Sequence, residues 1–148
     1  MKQQGFTLVE MMVVVAIIGL IATIGYPSYV EQMKKSRRAD AKVTLVSLAQ
    51  VQESIYADNN SYTATLDTSG LGCVNRGLCV IDSSVIYTPE KYYVLSATGT
   101  ARAYTLTATV SATGSQKTDD ECNVLTLNHK NQKTAVDSSA ADSSDACW

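Results

Sequence analysis

The sequence predicts an α+β chain, with a long N-terminal α-helix packed on a head built from an antiparallel β-sheet. Three observations carry this. Residues 6–25 are apolar or small apart from Thr7, Thr23 and one acid, Glu10. A second segment, ending at "DNNSY", places Leu45, Leu48, Val51 and Ile55 at helical steps of three, three and four. Period-two segments come only after that. In "RAYTLTATV", Tyr104, Leu106, Ala108 and Val110 alternate with Thr105, Thr107 and Thr109, which reads as a strand with one buried and one wet face. Helix first and strands after is an α+β order.

Composition narrows the function. A chain of 148 residues is one small domain plus an appendage, and a formal charge of −2 argues against a general nucleic-acid binder. One His, one Phe and one Trp leave few parts for catalysis. His129 lies in a polar turn, with no acid or nucleophile at motif spacing. No Cys-x-x-Cys or His pair forms a metal site, no phosphate loop occurs, and no cofactor or metal is expected. The four cysteines, Cys73, Cys79, Cys122 and Cys147, read as two disulfides made in an oxidising compartment. Four cysteines allow three connectivities. The five residues between Cys73 and Cys79 suit a tight local bridge.

The apolar run is long enough to cross a bilayer as a helix. A cleaved secretory signal fits poorly: the basic start is Lys2 alone, the apolar core is too long, and no Ala-x-Ala follows. Glu10 needs a reason, because an acid inside a membrane span costs roughly 3 kcal/mol on insertion scales. Its nearest basic residue is Lys2. A cut between Gly5 and Phe6 would create an amine at Phe6 beside Glu10. Pairing that amine with the Glu10 of a neighbouring helix would neutralise two buried charges at one stagger only, making Glu10 a key for register.

These residues, "GFTLVE" after the leader "MKQQG" and before the apolar run, closely resemble the class III signal of type IV prepilins. The resemblance implies that residues 1–5 are a leader, that a prepilin peptidase cuts after Gly5, that Phe6 is N-methylated, and that Glu10 serves assembly. Residues 6–58 would be one interrupted helix of roughly 80 Å, with residues 6–28 in the membrane or filament core. Gly19, Gly25 and Pro27 are the expected helix break, since Pro removes a backbone donor and Gly weakens a helix. In type IVa pilins the matching segment loses helicity in the filament. The basic cluster Lys34, Lys35, Arg37 and Arg38 reads as a solvated collar beside Glu31 and Asp40. Its position after the span opposes the usual positive-inside orientation. The cysteines and the resemblance both place the head outside the cytoplasm, and they outweigh it.

The head, residues 59–148, opens with a Gly- and Ser-rich connection. "KYYVLSAT", "RAYTLTATV" and residues 124–127 are expected strands, three or four in all. The tail "TAVDSSAADSSDACW" resembles the pilin D-region, a surface loop closed by a C-terminal disulfide. That implies Cys122–Cys147, and with it Cys73–Cys79. The ending "CW", with "LTL" and "KTA" upstream, resembles the PilE-like minor pilins. Asn131 stands near a position that is often Gly there, and Asn tolerates the same left-handed turn.

The implied function is a major or minor subunit of a type IV pilus, serving motility, adhesion or DNA uptake. The implied partners are other pilin subunits, the prepilin peptidase, the bacterial inner membrane before assembly, and the pilus assembly machinery. The implied location is the inner membrane, then the extracellular filament. Two alternatives share the N-terminus: a pseudopilin of a type II secretion system, and a DNA-binding pilin. For the latter, the head cations Arg76, Lys91, Arg102, Lys117, Lys130 and Lys133 are scattered in sequence, so DNA is an unsupported partner at this stage.

Overall fold

The computed structural model describes residues 6–67 and 70–148. One helix, α1 (Leu8–Asn59), precedes six strands and a final turn of helix. The strands are β1 (Val80–Asp82), β2 (Val85–Tyr87), β3 (Tyr93–Thr100), β4 (Ala103–Val110), β5 (Val124–Asn128) and β6 (Lys133–Val136), and α2 is Ser144–Cys147. The chain divides into two compact units, one reaching to Lys35 and the other Ser36–Trp148.

In the first unit α1 runs without a break through Gly19, Gly25 and Pro27, so the expected interruption is absent from the single chain. Pro27 removes only one backbone donor, and the bonds on either side of it carry the helix across. The hydroxyl of Thr23 donates to the carbonyl of Leu20 at 2.8 Å, another local bond within this stretch.

In the second unit α1 presents a buried stripe of Arg38, Ala41, Leu45, Leu48 and Gln52, spaced three, four, three and four. It meets the inward face of a meander in which each strand pairs antiparallel with the next, in the order β1-β2-β3-β4-β5-β6. The inward residues are Tyr93 and Leu95 of β3, Tyr104, Leu106 and Ala108 of β4, Leu125 and Leu127 of β5, and Ala135 of β6. The register places Leu95, Ala108, Leu125 and Ala135 in one row across four strands.

Two features exceed the expected strands. β1 and β2 are three residues each and join through Ser83 and Ser84, whose φ of 50° and 69° make a tight left-handed hairpin turn. β6 adds a sixth strand after Asn131, which takes φ 57° as its turn requires.

Polar groups sit at both ends of the helix stripe. The Nε of Arg38 donates to Oδ2 of Asp119 at 2.7 Å, and its Nη2 donates to Oδ1 at 2.5 Å. The same Nη2 lies 3.0 Å from Oε2 of Glu121. The amide of Gln116 donates to Asp119 at 2.6 Å and to the Tyr93 hydroxyl at 3.3 Å. Hydrogen bonding to Asp119 strengthens the guanidinium's hold on its proton, and burial pushes the Tyr93 hydroxyl up to about 12. Arg38 is therefore not part of a solvated collar: both it and Asp119 are buried, and the pair ties α1 to the loop between β4 and β5. At the other end Gln52 bonds both backbone groups of Thr63, accepting from its N–H at 3.1 Å and donating to its carbonyl.

Removing Arg38 would leave Asp119 buried without its cation. We expect Arg38→Ala to cost about 3–5 kcal/mol in urea denaturation, and Arg38→Met with Asp119→Leu to recover most of it. A loss no larger than that of exposed Arg102→Ala would contradict the tie.

Candidate functional site

The first unit is a surface without a cover. Phe6 is 76% exposed and Ile24 is 78% exposed, and the apolar side chains between them are exposed too. The window that is long and apolar enough to span a membrane buries 0% of its residues within the chain. Leaving such side chains in water costs roughly 1.5–3 kcal/mol each, so this helix is built to be covered by something else.

Glu10 stands at the start of this surface, in the first turn of α1. Its backbone N–H donates to Oγ1 of Thr7 at 3.2 Å, and the Met11 N–H donates to the Thr7 carbonyl at 3.3 Å. Thr7 therefore caps the helix. The pair Thr7 and Glu10 has the Thr-x-x-Glu spacing of a capping box, a signal present in the sequence itself. The acid also sits at the positive end of the helix dipole. A cap needs only the Thr, so it does not by itself account for an acid in an apolar surface. Phe6 is the first described residue, and Gly5 lies outside the described residues.

In the second unit both disulfides close inside the head. Cys73 joins Cys79 with Cα atoms 5.4 Å apart, and Cys122 joins Cys147 at 5.7 Å. The tail they leave is tightly folded. Oδ1 of Asp137 accepts from the backbone N–H groups of Ser139 and Ala141, and Ser144 bonds both Ala135 and Asp142. The indole of Trp148 donates to the Thr134 carbonyl at 2.8 Å, and Lys133 lies 5.4 Å over its ring.

The head cations have distinct surroundings. Lys91 is paired with Asp82 at 2.8 Å. Arg37 donates to the Ser115 carbonyl and sits 5.1 Å over the Tyr92 ring. Arg102, Lys117 and Lys130 are exposed. His129 is half-buried at the edge of an aromatic cluster, 6.3 Å from Tyr104, which packs in turn on Tyr62 and Tyr56. Glu53 accepts from the hydroxyls of both Tyr62 and Tyr104, and burial pushes the Tyr104 hydroxyl up. No group of acids, His or Cys able to hold a metal occurs among the described residues.

Comparison with known proteins places the chain. A family model described as type IV minor pilin ComP, DNA uptake sequence receptor, matches residues 27–126. The prokaryotic N-terminal methylation motif matches residues 1–26. The chain belongs to the type IV pilins.

The pilin is 32% identical over 115 residues to the fimbrial protein EcpC of Eikenella corrodens, covering 78% of this chain and 67% of that one. It is 37% identical over 62 residues to the type IV major pilin protein PilA of Myxococcus xanthus, covering 42% of this chain and 28% of that one. It is 38% identical over 64 residues to type II secretion system core protein G of Pectobacterium carotovorum, covering 43% and 41%. The pilin thus spans between about a quarter and two thirds of these relatives' lengths. Residues 127–148, with Cys147 and Trp148, lie beyond both matched segments.

The Cys122–Cys147 bridge closes a loop of about 25 residues, a constraint worth roughly 3 kcal/mol in the chain-entropy picture. In Cys147→Ser we expect hydrogen exchange to rise over α2 and β6 while β3 and β4 keep their protection. Equal loss across the whole sheet would contradict a local role for this bridge.

Proposed function

We propose that this pilin is a minor subunit of a type IV pilus, cut after Gly5, N-methylated at Phe6, and assembled through residues 6–28. It waits in the bacterial inner membrane with its head outside the cytoplasm, and then enters the filament. The observation that carries this reading is the uncovered apolar helix with a single acid in its first turn. Lipid can cover the helix first, and neighbouring pilin helices afterwards.

Glu10 is the assembly residue in this reading. In the membrane Glu10 pairs with the Phe6 amine of its own chain. In a filament core an unpaired charge has no water to reach, and an uncompensated ion there is costly. The amine of a neighbouring Phe6 removes that cost at one stagger only. The acid therefore selects register as well as contributing energy. The expected helix break at Gly19, Gly25 and Pro27 belongs to this assembled state, where it would let the subunit lengthen.

A pseudopilin role is the alternative within the same N-terminal architecture. The longer match favours the pilus, since the likeness to the fimbrial protein extends over 78% of the chain and that to the secretion protein over 43%. The family description, which names a DNA uptake sequence receptor, supports capture of DNA as the work of the head.

Glu10→Gln keeps the size of the side chain and removes its charge. We expect normal membrane insertion, leader cleavage and disulfide formation, with incorporation into pili reduced at least tenfold by immunoblot of sheared filaments. Wild-type levels of the variant in those filaments would refute the role given to Glu10.

A further inference from the structure

The uncovered half of α1 is apolar on every side. From Leu8 to Ile24 its large side chains are exposed all round, so no single stripe marks a seam for one partner helix. Lipid meets a helix on all sides at once.

The run ends in two aromatic rings. Tyr26 is 72% exposed and Tyr29 is 64% exposed, and neither hydroxyl has a hydrogen-bond partner among the described residues. No Tyr or Trp precedes them in the chain. Such a ring has an apolar body and a polar tip, so it settles where hydrocarbon gives way to headgroups. Charge begins just beyond. Lys34 is held by Glu31 at 3.0 Å, but Lys35 is exposed and has no acid partner among the described residues. Side chains on a helix lean toward its N-terminus, so the Lys35 ammonium reaches back toward the level of the rings.

Distance along the helix then fixes where its other end falls. Leu8 to Tyr26 spans about 27 Å at 1.5 Å per residue, and the hydrocarbon core of a bilayer is about 30 Å thick. With the rings at one edge, Ile17 falls near the midplane. Glu10 lies about 24 Å from Tyr26, within about one turn of the opposite edge. Its carboxylate also leans toward the N-terminus, and so toward headgroups and water.

We propose that Tyr26 and Tyr29 set the depth of the helix in the membrane. Their rings lie in the headgroup zone of the outer leaflet, and Lys35 pairs with lipid phosphate just beyond them. Glu10 is thereby held close to the inner headgroups. The partner of this surface is a phospholipid bilayer, and the proposal rests on the membrane stage of the function proposed above.

The test uses the full chain in vesicles of phosphatidylcholine with phosphatidylglycerol as the minor lipid. The lipids carry bromine either near the headgroup or near the chain end, and bromine quenches a nearby indole. Leu8→Trp, Ile17→Trp and Tyr26→Trp are read one at a time as depth probes. Each is measured against the chain without an added Trp, because Trp148 contributes its own emission. Ile17→Trp should be quenched most by the deep bromine, and Leu8→Trp and Tyr26→Trp most by the shallow one. Trp in place of Tyr26 keeps the interfacial preference.

Tyr26→Ala with Tyr29→Ala removes both rings. Glu10 then draws the helix toward the inner headgroups, and the deepest position should move from Ile17 to Ile21, a shift of about one turn. An Ile21→Trp probe reads it. Lys35→Gln should move the helix the same way but less, making deep quenching equal at the two positions.

Strongest quenching of Tyr26→Trp by the deep bromine would overturn the proposal. So would an unchanged depth profile in the double Ala variant, because apolar length alone would then set the depth. An unchanged profile in Lys35→Gln would overturn the phosphate contact. No quenching of any probe by either lipid would reject the membrane stage itself.

Discussion

The rest of the structure depends on one constraint: a single helix must satisfy two environments. From Arg38 to Gln52, α1 buries a stripe against its own sheet. From Leu8 to Tyr29 it buries nothing, and its large apolar side chains are uncovered among the described residues. At roughly 1.5–3 kcal/mol for each large side chain, water is an unfavourable surrounding for that half. The head buries a core of its own; the first half of the helix buries none of its apolar side chains. Membrane residence and filament assembly, as proposed above, are two solutions to that one imbalance, and Glu10 lies in the first turn of the uncovered helix.

The head, for its part, must hold its length of helix at one register. Apolar packing alone allows small slips, because leucines at helical spacing look alike when displaced by a turn. The polar pins do not. Arg38 reaches Asp119 with two nitrogens, and Gln52 pairs with both backbone groups of Thr63. These sit at opposite ends of the stripe. Shifting α1 by one turn would leave a buried guanidinium, a buried carboxylate and an amide unpaired together, and each orphaned group costs about 1–3 kcal/mol or more. The disulfides act more locally, one in the loop after the helix and one across the tail.

Much of this was legible in the residues. The Leu45, Leu48 and Val51 stripe, the alternation of β4, and the short spacing from Cys73 to Cys79 each follow from local pattern, and the structure has all three. What escaped was non-local or unusually short. β1 and β2 are three residues long and turn through two serines rather than Asn-Gly, so neither the strands nor the turn stood out. Arg38 read as a surface charge because its partner lies 81 residues away. Gly19, Gly25 and Pro27 look like a break in the sequence because each weakens the helix locally, whereas the bonds on either side of them are not visible there. Thr7 is legible as a cap from its spacing to Glu10, the Thr-x-x-Glu of a capping box.

Assembly as proposed depends on the N-terminal edge of the helix, where cleavage would set a new amine beside Glu10. Intact mass and N-terminal peptide spectra of the chain recovered from sheared filaments measure this directly. The expected result is a chain that lacks residues 1–5 and begins at Phe6 carrying one added methyl group. A filament-borne chain that still begins at Met1 would contradict it.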